Sequence, residues 1–338
     1  MAIEWQILGR AGADNALLAT IDSGHSRERL LFDCGEGCLS GLRVASVQAI
    51  GHLCFSHFHM DHVAGFDAFF RHNYNRPDVP VEVWGPPGTL EVMAHRFRGF
   101  GWNLHRDQPG EWLVHEIAEE HVGAARFFTR EAFAEAHRLP EFPRDSREIH
   151  RSANFRLEAK LLPHGTISSL AYRMVEAERK NVDPSRLGES GLAPGPWLQS
   201  LTDPARSDDE TLALGGGPRR IGQLREDLLT TKAGDSLAYL TDFRVEPDSD
   251  EWADLVDWIR GTGTLVCECQ YRADDEALAR RHGHMTADLV GRLARDAGVG
   301  NLLLLHLSRR YAAADWLAMR DETRTFFRGA ALPSEWDF

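Results

Sequence analysis

The chain has no apolar run approaching the ~20 residues that cross a bilayer. Its start, Met1-Ala2-Ile3-Glu4-Trp5, lacks the basic and apolar regions of a secretion signal, so a cytoplasmic location is expected and no membrane partner. Positive charge is scarce as well: 38 Lys and Arg stand against 51 Asp and Glu, a net charge of −13. That balance disfavours nonspecific nucleic-acid binding, yet leaves room for a local basic surface. Cysteine is sparse and odd in number: Cys34, Cys38, Cys54, Cys267 and Cys269. Without a secretion signal, such a set is expected as free thiols. Cys34-x3-Cys38 and Cys267-x-Cys269 could be metal half-sites. Neither has zinc-finger spacing and both sit in strand-like runs, so small buried side chains are expected. Repeats and low-complexity tracts are absent too. What remains, 338 residues with 43% hydrophobic and 26% charged content, is enough for one large globular domain with elaborations, or for two.

Against this plain background one segment is dense in chemistry: Ser56-His57-Phe58-His59-Met60-Asp61-His62. The run before it, Gly51-His52-Leu53-Cys54-Phe55, reads as a short buried strand, so the cluster falls where strand gives way to loop. There His57 and His59, at i and i+2, point to one side. Asp61 and His62 lie a step further on and can turn to a second centre. Imidazole and carboxylate donors suit Zn²⁺, Mn²⁺ or Fe rather than Ca²⁺. Three later polar residues also end apolar runs: His164 after Leu161-Leu162-Pro163, Asp242 after Leu237 to Thr241, and His306 after Leu302 to Leu305. Each alone could be an ordinary strand-end residue. Together, in this order, they supply what a two-metal site still needs.

Strand-like segments recur at 4–8, 17–21, 29–32, 52–55, 81–84, 155–162, 170–175, 237–240, 264–268 and 301–306. Many are apolar throughout, as strands covered on both faces are. Helical patterns fall at 67–74, 89–98, 129–137, 251–260, 274–281, 286–297 and 313–327, with Thr89 and Thr286 as expected N-caps. Two sheets with helices outside, an αββα sandwich, accommodate this order as a single domain over 1–338. Residues 105–153 are charged, with one expected helix. Residues 176–235 carry Pro, Gly and charge and read as an insertion too poor in apolar residues for its own core, with 176–200 expected to form a protruding arm.

The His-X-His-X-Asp-His pattern resembles the metallo-β-lactamase signature. More narrowly, the chain resembles the ribonuclease Z family, endonucleases that mature the 3′ end of tRNA precursors. Leu31 to Gly37, Ser56 to Gly65, Gly85-Pro86-Pro87-Gly88, His164 with Ala171-Tyr172-Arg173, Gly191 to Pro196, His284-Met285-Thr286-Ala287 and His306 to Tyr311 all match its motifs. The resemblance implies that His57, His59 and His164 hold one zinc, that Asp61, His62 and His306 hold the other, and that Asp242 bridges them. It implies His284 as the proton donor to the leaving group, while Asp61 could take or orient a proton of the attacking water. Glu268 would then hold the second His284 nitrogen, unless it is a strand residue paired elsewhere. Arg179, Lys180, Arg186, Gly195 and Pro196 in the arm, with Ser308 and Arg310, would touch substrate. Of Trp197, Tyr172 and Tyr311, which could stack on bases, at least two are expected in the core. The implied partner is precursor tRNA, handled by a homodimer in which one subunit's arm presents substrate to the other's metals. Four features depart from the pattern: a short loop Gly9 to Asn15 without its basic pair, Leu240-Thr241-Asp242-Phe243, Cys267-Glu268-Cys269-Gln270, and the acidic total. These leave a second reading, a phosphodiesterase for cyclic nucleotides or aryl phosphodiesters, or a lactonase, on the same scaffold.

Overall fold

The computed structural model describes residues 3–23, 26–203 and 205–336, and of Arg179 only the backbone. Residues 1–175 and 235–338 form one compact unit, and Glu176–Gly234 a second.

The larger unit contains two sheets. In the first, eight strands lie side by side in sequence order: Glu4–Gly9, Asn15–Asp22, Arg27–Phe32, His52–Cys54, Val81–Gly85, Glu111–Ile117, His121–Phe128 and His137–Pro143. In the second, the order is Ala330–Ala331, Asn301–Leu305, Thr264–Glu268, Ser236–Leu240, Ile167–Glu176, Phe155–His164, Glu148–Arg151. The middle strands of the first sheet, from Arg27 to Ile117, pair in parallel, and so do the first four of the second.

Alternation explains the layering. In Asn15–Asp22, Leu17, Ala19 and Ile21 join Phe32, Tyr172 and Tyr239 in one core shared by the two sheets. Ala16 and Leu18 face the other way, into a core with Phe66, Phe69, Met93 and Phe97 of the helices Phe66–Asn73 and Thr89–Arg98. A strand buried on both faces has no polar face to show, which is why these segments read as continuous apolar runs. The helices Asp250–Trp258, Ala287–Ala297 and Ala313–Arg324 cover the second sheet, completing an αββα sandwich. All five cysteines are buried free thiols.

Several expectations are corrected. Residues 129–137 are not a helix: a single turn, Thr129–Glu131, ends at Ala132 and Phe133, both at positive φ, and a strand starts at His137. Pairing of His137 with Arg126 and full burial of Phe133 outweigh the helical pattern. The 105–153 stretch is mostly strand, extending both sheets. Thr89 is not the cap of its helix; Gly88, at φ 95°, holds that position and the Thr89 hydroxyl donates to Pro86 O. Thr286 does hold the cap position, but its hydroxyl donates to the Asp288 carboxylate and not to a cap bond.

The inserted unit extends past residue 200 and has a core of its own. Its helices Pro184–Glu189, Trp197–Thr202 and Ile221–Leu228 gather Leu187, Leu201, Ile221, Leu224, Leu228 and Leu229. Two ribbons accompany them, Arg179–Val182 with Leu229–Lys232 and Thr211–Leu214 with Gly217–Arg220. Apolar residues are few here, yet Ile221, Leu224 and Leu228 stand at helical spacing on one face, which suffices for a small core.

Candidate metal centre

Strand ends converge on one cleft of 970 Å³, lined among others by Asp14, Glu36, Phe58, Met60, Ser308 and Arg309. His57 and His59 follow the strand His52–Cys54, His164 ends Phe155–His164, Asp242 follows Ser236–Leu240, and His306 follows Asn301–Leu305. The donor atoms of His57, His59, His164 and Asp242 lie within 4.8 Å of one another, and so do those of Asp61, His62 and His306. Asp242 faces both groups. Its Oδ2 lies 3.4 Å from His57 Nε2, 3.3 Å from His62 Nε2 and 3.9 Å from His164 Nε2, and its Oδ1 lies 3.4 Å from His306 Nε2. A carboxylate whose Oδ2 faces members of both sets and whose Oδ1 faces His306 is placed to span two ions.

Surrounding groups aim these donors. The His164 Nδ1–H donates to Gly283 O at 3.0 Å and the His62 Nδ1–H to Asp33 Oδ2 at 2.8 Å, leaving each Nε2 lone pair for the cleft. Asp33 is fully buried and also accepts from Ser56 N, Ser56 Oγ and the Tyr239 hydroxyl. No role for Asp33 was read in the sequence. The available signal was the one that marked Asp242: a charged residue closing an apolar strand. Asp33, Asp242 and His306 also share positive φ, at 57°, 51° and 52°. Such backbone is costly for these residues and is held where surrounding structure fixes it.

The donor set fits a transition-metal cation. His57 Nε2 is buried without a hydrogen-bond partner, a lone pair facing carboxylate and imidazole neighbours. Burial, reinforced by His62, holds His57 neutral. Burial works against protonating His62 too, but Asp242 and Asp33 overcome it and raise its pKa well above the usual value. The centre thus sets a neutral imidazole, His57, beside carboxylates that draw positive charge to His62.

His284 stands beside this centre, its ring 5.0 Å from that of His164 and 5.7 Å from that of His306. Its Nδ1 lies 3.0 Å from Glu268 Oε2. Glu268, fully buried, also accepts from Phe243 N and Met285 N. Burial disfavours the imidazolium, but the Glu268 charge and hydrogen bond prevail and push the His284 pKa up to about 9. A donor atom of His284 lies within 4.8 Å of those of Asp242 and His306.

The expected substrate residues divide. Ser308 lines the cleft, where Arg309 joins it; Arg310 instead lies 6.0 Å over the Tyr311 ring. Lys180, Arg186, Gly195 and Pro196 belong to the inserted unit, and the Arg179 side chain lies outside the described residues. Tyr172 is in the core, its hydroxyl donating to Phe55 O, so it cannot stack on a base. Tyr311 and Trp197 pack partly buried against the large and small cores.

Comparison with known proteins agrees with this fold. Residues 28–162 fit the model of the beta-lactamase superfamily domain. Over its whole length the chain resembles the metallo-beta-lactamase fold protein YhfI of Bacillus subtilis, at 17% identity and TM-score 0.56, covering 100% of this chain and 99% of that one. The short form of human tRNase Z is similar at 16% identity and TM-score 0.52, covering 90% and 93%. The chain is thus a metallo-β-lactamase-fold protein. Ribonuclease Z of Deinococcus radiodurans is 42% identical over 330 residues, 98% of this chain and 97% of that protein. The chain belongs to the ribonuclease Z family. Among the described residues, no helix is long and apolar enough to cross a membrane.

Proposed function

We propose that this protein is a metal-dependent endoribonuclease that removes the 3′ trailer from tRNA precursors. The observation that carries this reading is Asp242, standing between two donor sets beside a Glu268-paired His284, in a chain 42% identical to a ribonuclease Z. His57, His59 and His164 would hold one Zn²⁺, Asp61, His62 and His306 the other, with Asp242 shared; Mn²⁺ or Fe suits the same donors. Bound there, two such ions lower the pKa of water toward neutrality and offset charge on phosphoryl oxygens.

The chain's own groups supply the rest. The Asp61 side chain, 47% exposed, reaches the cleft and can accept or orient a proton of the attacking water. Asp33 and Gly283 fix the His62 and His164 rings, so their lone pairs need no reorganisation. Glu268 holds His284 as imidazolium with Nε2–H free to protonate the leaving 3′ oxygen. Ser308 and Arg309 would meet phosphate in the cleft. Arg179, Lys180 and Arg186 would grip phosphates further along the tRNA, with Gly195 and Pro196 shaping that surface. A homodimer, one subunit's inserted unit serving the other's metals, completes the reading.

Metal-loaded protein should cleave a 3′-extended precursor tRNA at one position and hydrolyse bis-p-nitrophenyl phosphate. Hydrolysis of the small ester with no cleavage of the precursor would overturn the assignment in favour of a small-molecule phosphodiesterase. Sedimentation of the intact chain should show a dimer.

A further inference from the structure

A second group of metal-type donors lies away from the cleft. Glu28, His52 and His150 bring one donor atom each to within 4.8 Å of one another. Glu28 is two residues before Leu30, the cross-strand partner of His52, so Glu28 and His52 share a face. His150 comes from the other sheet, where it pairs with Leu157. The group thus joins the two sheets. It lies where the strands Arg27–Phe32 and His52–Cys54 begin, whereas His57 follows where the latter ends, roughly 15 Å of extended chain further on.

We infer that Glu28, His52 and His150 form a separate site for a divalent transition-metal ion, zinc being the natural probe, that ties the two sheets together. The donor set is two imidazoles and one carboxylate, which suits zinc and its neighbours and not the all-oxygen preference of Ca²⁺ or Mg²⁺. His150 Nε2 is a buried nitrogen without a hydrogen-bond partner. The His52 and His150 ring centroids are 4.7 Å apart. Ser152 Oγ and Asn154 Nδ2 both donate to Glu28 Oε1, at 3.0 and 2.5 Å, fixing that carboxylate and leaving Oε2 for the ion. Burial keeps both rings in the neutral form that binds metal, with His52 lowered to about 4. Behind them Glu82, 3.1 Å from His115 Nε2, adds negative charge. Glu28 and His150 are half-buried and His52 is buried.

One bond must change. Trp84 Nε1–H donates to His52 Nδ1 at 3.3 Å, so in the neutral ring the proton sits on Nε2. Binding an ion at Nε2 moves that proton to Nδ1, with no net proton released, and the Trp84 bond is given up. The indole N–H therefore reports occupancy.

The test uses the full chain, stripped with a chelator, saturated with Zn²⁺ and freed of excess. Wild type should carry one zinc per chain more than His150→Ala and more than Glu28→Gln. Glu28→Gln keeps the Ser152 and Asn154 bonds and serves if His150→Ala does not fold. His57→Ala should retain the extra ion while losing zinc from the catalytic centre. In wild type, the Trp84 indole N–H resonance, assigned with Trp84→Phe, should shift as the extra equivalent binds. Equal zinc content in wild type and either folded variant, or an indole signal unmoved through the whole titration, overturns the site.

Discussion

Asp33 makes no contact with the cleft, yet four groups meet at its carboxylate: Ser56 N, Ser56 Oγ, His62 Nδ1 and the Tyr239 hydroxyl. Asp33→Asn keeps the shape and removes the charge, so His62 loses the partner that fixes its tautomer. Metal affinity should fall by roughly 10–100-fold, the usual cost of losing such a partner. Competition with a fluorescent chelator measures it, and unchanged affinity would show Asp33 to be purely structural. His284→Ala should keep the metals and slow precursor cleavage by roughly 10²–10⁴-fold, the usual worth of a positioned acid. With p-nitrophenolate as leaving group the defect should shrink, because that anion departs without a proton. Equal slowing of both substrates would make His284 a phosphate-binding group. The donors were legible in the sequence because four crowd into residues 57–62 and the other three each close an apolar run. Asp33 closes one too, but its meaning depends on Tyr239, 206 positions away, which no local pattern connects to it.

At the scale of elements, the inserted unit can be removed cleanly. Val175 and Ser236, which flank it, are cross-strand partners on antiparallel strands, so a tight turn can join them. Replacing residues 177–234 by such a turn should leave the sandwich folded and bis-p-nitrophenyl phosphate hydrolysis within a few-fold of wild type. Precursor tRNA cleavage should be lost, since a small ester needs only the metals, whereas tRNA needs a distant grip to hold it in place. Loss of both activities in a folded variant would place the inserted unit within the chemistry. Sequence reveals strands well when both faces are covered, as in Asn15–Asp22. Legibility ends at the sheet edges: in His137–Pro143 most side chains are exposed, and pairing with His121–Phe128 decides the structure. It ends also in the inserted unit, where six apolar residues spread over 43 positions form a core that composition alone does not reveal.

For the molecule as a whole, the join between the sheets has a built-in acid weakness. His52 lies in the shared interior, and burial lowers its pKa from 6.5 to about 4. Above pH 6.5 the ring is neutral both folded and unfolded, and its contribution to stability is complete. Between 6.5 and 4 the unfolded chain takes up a proton that the folded chain refuses, so stability falls as pH falls. Below 4 both states carry the proton and the loss is finished. The full window is worth about 3 kcal/mol for the metal-free protein. Other groups titrate in the same range, so the comparison must be with His52→Gln, which cannot titrate but can still accept the Trp84 N–H. Urea unfolding of chelator-treated protein at pH 7 and pH 4.5 should show a steeper loss in wild type than in His52→Gln. Parallel losses in the two proteins would mean that His52 is protonated as easily folded as unfolded, and that the interior between the sheets admits water to it.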